Sequence, residues 1–98
     1  MARFDVYQYG GKGYVLDVQS DITAGLNTRI VVPLLPLTHA PKPAKQLNPI
    51  FEIGGVEHSM VTQYLASIKL NELKGMVVNL GRHHDAIKDA MDMLFEGY

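Results

Sequence analysis

Between Tyr14 and Leu34 the chain reads Tyr-Val-Leu-Asp-Val-Gln-Ser-Asp-Ile and later Asn-Thr-Arg-Ile-Val-Val-Pro-Leu, two strand patterns interrupted by short polar side chains. Tyr14, Leu16 and Val18 alternate with Val15, Asp17 and Gln19, the period-two signature of a half-buried strand. Asp21 to Thr28 supplies a polar connection to a second strand. There the continuous β-branched run Ile30-Val31-Val32 fits a strand covered on both faces. Pro33 has no N–H to give a ladder, which confines it to a strand end, an edge or a bulge. Asp17 and the Ser20-Asp21 pair read as a strand-end cluster that hydrogen-bonds the backbone of the following loop, a use preferred here over direct binding because short side chains reach neighbouring N–H groups.

The rest of the chain continues the β pattern until its last segment. Phe4 to Tyr9 alternates and is followed by Gly10-Gly11-Lys12-Gly13, so the chain opens with a hairpin. Prolines at 36, 41, 43 and 49 make 36–49 a loop. It is longer than most connections, and loops of that length are commonly functional or mobile. Ile50 to Ile53, Gly54-Gly55 and Val56 to Val61 form a second hairpin, the glycine pair permitting a tight turn with positive φ. Ala66 to Leu70 and Gly75 to Leu80 are short strands that close a barrel or sheet. Arg82 to Glu96 is a helix, with Ile87, Ala90, Met91, Leu94 and Phe95 on one arc and Asp85, Lys88, Asp89, Asp92 and Glu96 opposite. Gly97 stands where a glycine C-cap is common, which leaves Tyr98 as an aromatic terminus.

At 98 residues, 1–98 is one domain with a single modest core. Its 47% apolar content is too high for disorder and leaves room for an apolar contact surface, so self-association is expected. Nine basic and ten acidic side chains are scattered and give a formal charge of −1, so the electrostatic footprint of nucleic-acid binding is missing. The chain has no cysteine, which removes disulfides and thiolate metal sites. The apolar run 30–37 is far shorter than the roughly 20 residues a membrane helix needs. The N-terminus also lacks the apolar core of a signal peptide, making the cytoplasm the expected compartment.

Chemistry-bearing patterns are weak. His39 and His58 are isolated, and the adjacent His83 and His84 point about 100° apart on a helix, so surface histidines are favoured over a zinc site. Ser20, Ser59 and Ser67 lie outside any Gly-x-Ser-x-Gly elbow. The carboxylates Asp85, Asp89, Asp92 and Glu96 read as a solvated helix face rather than a cation site, since carboxylates along a straight helix do not converge. The glycines at 10, 11 and 13 precede a strand, not a helix N-terminus, and read as turn residues.

Phe4-x-Val-x-x-Tyr9, Asp17-Val-Gln-Ser-Asp21-Ile22, Arg29-x-Val-x-Pro-Leu34, Leu47-x-Pro49, Ile53-Gly54, Met60-x-Thr62, Ala66-Ser67 and the run from Ile87 through Phe95-x-Gly97 resemble, in order and spacing, the CcdB family. These are toxins of plasmid-type toxin–antitoxin modules that poison DNA gyrase. Asp-Val-Gln-Ser-Asp is the most specific of the matches, which cover nearly the whole chain apart from a shortened first hairpin and the proline-rich loop. The resemblance implies a mainly β fold with one C-terminal helix, an SH3-like barrel of antiparallel strands, assembled as a two-fold homodimer. It implies no enzymatic activity and no cofactor or metal. Its partners are the DNA gyrase A subunit, trapped on cleaved DNA, and a partly disordered CcdA-like antitoxin whose contact residues stay unassigned.

Ile22, Phe95 and Gly97 match positions at or beside the family's gyrase-facing end. Glu96 and Tyr98 depart from the pattern, which has tryptophan before the glycine and isoleucine after it. Two other readings follow. One is a homologue that dimerises and binds antitoxin without poisoning gyrase. The other is an mRNA-cleaving toxin of the same barrel, disfavoured because Arg29 is followed by Ile30 rather than by the Arg-Pro pair typical of those ribonucleases.

Overall fold

The computed structural model describes residues 2–10, 13–23 (Thr23 by its backbone alone) and 25–97. In chain order the elements are β1 (Asp5–Tyr9), β2 (Gly13–Asp17), a 3-10 turn (Asp21–Thr23), β3 (Thr28–Pro36), β4 (Ile50–Ile53) and β5 (Val56–Met60). After a second 3-10 turn (Thr62–Tyr64) come β6 (Ala66–Lys69), a third (Leu70–Glu72), β7 (Lys74–Asn79), a fourth (Gly81–His83) and α1 (His84–Glu96). The strands form one curled antiparallel sheet, a half-barrel in the order β4-β5-β3-β2-β1-β7, with β6 attached to β3.

Both expected hairpins, both short strands and the C-terminal helix are present. Gly54 and Gly55 take φ of 61° and 81°, values a side-chain-bearing residue adopts only at a cost, and so close the β4–β5 turn in two residues. The helix begins two residues later than its sequence pattern, because Gly81–His83 tightens into the 3-10 turn. Asn79 Oδ1 accepts the Gly81 N–H there at 2.7 Å.

Strand β3 is the hub. One side pairs with β2 through Val31–Leu34, and the other is shared: β6 takes Thr28–Val31 and β5 takes Leu34–Pro36. Pro33 lies between these two partners, and its carbonyl accepts the Val61 N–H at 2.9 Å. Since N–H and C=O of one strand residue point the same way, the N–H that proline lacks would face the gap between β6 and β5. Pro33 is thus interior to the strand but sits at a local edge.

Alternation along β2 and β3 feeds two cores. Leu16, Val32 and Leu34 join Val6, Phe51, Ile53, Met60, Leu80 and the helix residues Ile87 and Ala90 in the larger one. Val15 and Val31 join Tyr7 and Leu73 in the smaller. Strand β2 is therefore buried on both faces, not one, and Asp17 is fully buried.

A carboxylate in that position needs a partner, and Arg29, also fully buried, provides it. Arg29 Nε donates to Asp17 Oδ2 at 2.8 Å and Nη2 to Oδ1 at 2.9 Å, a two-point fork. The hydrogen bond from Asp17 raises the Arg29 pKa, with burial opposing it. Nearby, the buried Tyr7 hydroxyl donates to Asp5 Oδ2 at 3.3 Å. Burial first, then the Asp5 charge and hydrogen bond, push its pKa up to about 12.

Two measurements check this picture. In urea melts, Asp17→Leu or Arg29→Met alone is expected to lose about 3–5 kcal/mol by stranding a buried charge, and the double variant much less; additive losses would contradict the pairing. Tyr7 ionises near 10 when unfolded and only at about 12 when folded, so stability is complete below pH 10 and falls as pH rises between those values. Tyr7→Phe should flatten that fall in alkaline denaturation.

Candidate interaction site at the 18–27 loop and the helix end

The loop between β2 and β3 is built by its own polar side chains. Asp17 Oδ1 accepts the Gln19 N–H at 3.0 Å, and Gln19 Oε1 accepts the Ile30 N–H at 2.9 Å. Ser20 Oγ accepts the Ile22 N–H at 3.2 Å. Asp21 Oδ1 accepts the Arg3 N–H at 2.8 Å, tying the N-terminal turn to the loop. Arg29 Nη2 adds a hydrogen bond to the Gln19 carbonyl at 3.2 Å. The cluster thus has the backbone-ordering role expected of short Asp and Ser side chains. Local pattern does not identify Arg29 as the partner of Asp17; the signal in the sequence is an arginine beside a β-branched run, 12 residues from a strand-end Asp.

The loop holds Ile22 outward, 95% exposed. At the other end of the chain the apolar arc of α1 divides. Ile87 and Ala90 are buried, Met91 and Leu94 are half-buried, and Phe95 is 68% exposed although it lies on the same arc. Gly97 ends the helix at φ 81°, its N–H donating to the Met93 carbonyl at 3.0 Å, which is the left-handed cap expected. Glu96 is exposed, and the last turn carries no basic residue to offset the negative end of the helix. Tyr98, named with these residues from the sequence, lies outside the described residues. The helix itself packs on the 62–64 turn.

The histidines take varied positions. His39 and His84 are exposed, His83 packs its ring on Phe51 with centroids 5.0 Å apart, and His58 is buried, contrary to a surface reading. Among the described residues no three His, Asp or Glu side chains are grouped to hold a metal ion. The acidic helix face is solvated, with Lys88 and Asp92 forming a 3.6 Å ion pair one turn apart.

The curled antiparallel half-barrel with one C-terminal helix is the architecture that the resemblance to the CcdB toxins implied. The family model described as CcdB protein matches residues 3–97, and the chain belongs to the CcdB family. No helix is long and apolar enough to cross a membrane among the described residues.

Different consequences follow for the two end residues. Gly97→Ala is expected to lower stability by about 1 kcal/mol in thermal melts, because alanine pays a steric penalty at positive φ. Phe95→Ala should stay within about 0.5 kcal/mol, since the ring is already in water. A large loss for Phe95→Ala would show that the ring is covered in solution.

Proposed function

We propose that residues 1–98 act in the cytoplasm as a single toxin domain that binds the DNA gyrase A subunit, traps gyrase on cleaved DNA, and is neutralised by a CcdA-like antitoxin. The protein inhibits an enzyme and is not one itself. The observation that carries this reading is the outward display of Ile22 and Phe95, the positions that match the gyrase-facing end of the family. Large apolar side chains left in water on a small domain mark contact surfaces. As the family resemblance implies, the proposal includes an isologous homodimer, in which the helix ends and loops of two copies make one composite surface of Ile22, Phe95, Glu96, Gly97 and Tyr98.

Glu96 replaces the family's aromatic in that surface. An aromatic ring on a gyrase arginine contributes on the order of 1–2 kcal/mol, and the carboxylate would instead pair with such an arginine. Glu96 is exposed, so it enters that contact without a prior burial cost. Against the ribonuclease reading, the Arg29 guanidinium is fully buried and held by Asp17, away from any RNA.

The test is a gyrase assay with purified protein that scores supercoiling and accumulation of cleaved DNA. Cleaved complexes are expected with the wild-type chain, and removal of Gly97 and Tyr98 should abolish them. Glu96→Trp is expected to strengthen binding roughly 5- to 30-fold, the equivalent of about 1–2 kcal/mol. Activity only in Glu96→Trp would instead identify a folded homologue that has lost gyrase as its target.

A further inference from the structure

The β1–β2 and β4–β5 hairpins and the end of β3 line a half-open cavity of about 370 Å³. Gln8, Tyr14, Pro36, Gly54, Val56 and His58 are among its lining residues, and none belongs to the 18–27 loop or to the helix end. His58 is only 4% exposed. Its Nδ1 lies 2.8 Å from the Val56 carbonyl, which can only accept, so Nδ1 carries a proton and, in the tautomer with that single proton, Nε2 is an acceptor. No partner engages Nε2 among the described residues. Among the described residues the buried side-chain atoms that are both sealed from solvent and unpartnered are Arg29 Nη1 and Ser59 Oγ, so Nε2 keeps some access to solvent, and His58 lines the cavity. The Tyr14 ring stands against the imidazole with centroids 5.2 Å apart and planes at 66°, forming an aromatic wall.

Two cavities of similar volume, about 410 Å³ beside Leu70 and about 400 Å³ beside Leu47, have no buried polar side chain in their lining. The His58 cavity differs from both in having a buried histidine in a mixed lining, where Tyr14, Pro36, Ile53 and Val56 stand beside the polar Gln8. Its volume is near the lower end of the roughly 300–1,000 Å³ typical of small-molecule sites, enough for a ring system and too little for a nucleotide.

We propose that this cavity binds an aromatic ring bearing a hydrogen-bond donor, an indole or a phenol. The ring packs against Tyr14, Pro36 and Val56, and its N–H or O–H donates to His58 Nε2. Such groups have an apolar ring face and a donor that must be satisfied when buried, which suits a lining where Tyr14, Pro36 and Val56 stand beside Gln8 and His58. The ligand is either a free small aromatic or the tryptophan or tyrosine side chain of an extended peptide. The proposal stands independently of the toxin reading, since it rests on none of the residues assigned to gyrase.

The chain contains no tryptophan, so the emission of an indole probe reports its own environment. Free indole, 1-methylindole and N-acetyl-tryptophanamide would be titrated with the full-length protein, following probe emission and the NMR signals of the His58 ring. Saturable binding of indole that shifts the His58 signals is expected, with 1-methylindole, which lacks the donor, on the order of ten-fold weaker. His58→Phe should remove the discrimination between the two indoles while keeping the ring wall. Binding of free indole alone would point to a small molecule, and binding of the capped amino acid to a peptide side chain. Equal affinity for indole and 1-methylindole, or no shift at His58 with millimolar probe, would overturn the proposal.

Discussion

The buried pairing of Arg29 with Asp17 is the interaction on which the rest of the structure depends. It joins β2 to β3, the pair at the centre of the sheet, and it stands at the end of those strands where the 18–27 loop begins. Two further bonds, from the Gln19 N–H to Asp17 and from Arg29 to the Gln19 carbonyl, carry its order into the loop. A hydrophobic pair of similar volume often stabilises as much as a buried ion pair. What apolar side chains would not supply is the fixed geometry. A one-residue slip of β2 against β3 would turn Asp17 toward the larger core and leave both charges unpaired, so the pair penalises alternative registers strongly.

From that anchored centre the sheet curls outward, and its margins are where the chain leaves apolar surface uncovered. Among the described residues strand β7 pairs only with β1, and it exposes Met76, Val77 and Val78. Register shifts on either side of Tyr7 interrupt the β1–β7 ladder, and irregularities of this kind discourage an edge strand from recruiting another chain. Ile22 and Phe95 have no such protection. One rides on a loop ordered by hydrogen bonds, the other on a helix held by Ile87 and Ala90, so both are displayed on supports that do not depend on a partner.

Much of the architecture was legible in the sequence because periodicity and turn chemistry are local. Gly54-Gly55, the proline series from 36 to 49 and the Gly97 cap mark their boundaries directly. The misses all involve tertiary partners. Alternation suggested a half-buried β2, but burial of its second face depends on Leu73 and on Arg29, both distant in sequence. Pro33 fits inside a long strand only because β5 and β6 divide one side of β3, a fact of topology. His58 looked like a surface residue because nothing near it in sequence reveals that Tyr14 and the ends of two hairpins enclose it. Of the candidate site, the cap at Gly97 and the ordering of the loop were readable. The exposure of Phe95 was not, since its position on the apolar arc of the helix suggests burial.

The most direct test of the functional account is hydrogen–deuterium exchange of the protein alone and bound to the gyrase A subunit. Protection confined to the segments around 20–26 and 93–98 is the predicted result, with the β4–β5 hairpin unchanged. Protection centred on that hairpin or on β7, with the helix end still exchanging freely, would contradict the assignment of the gyrase-facing surface.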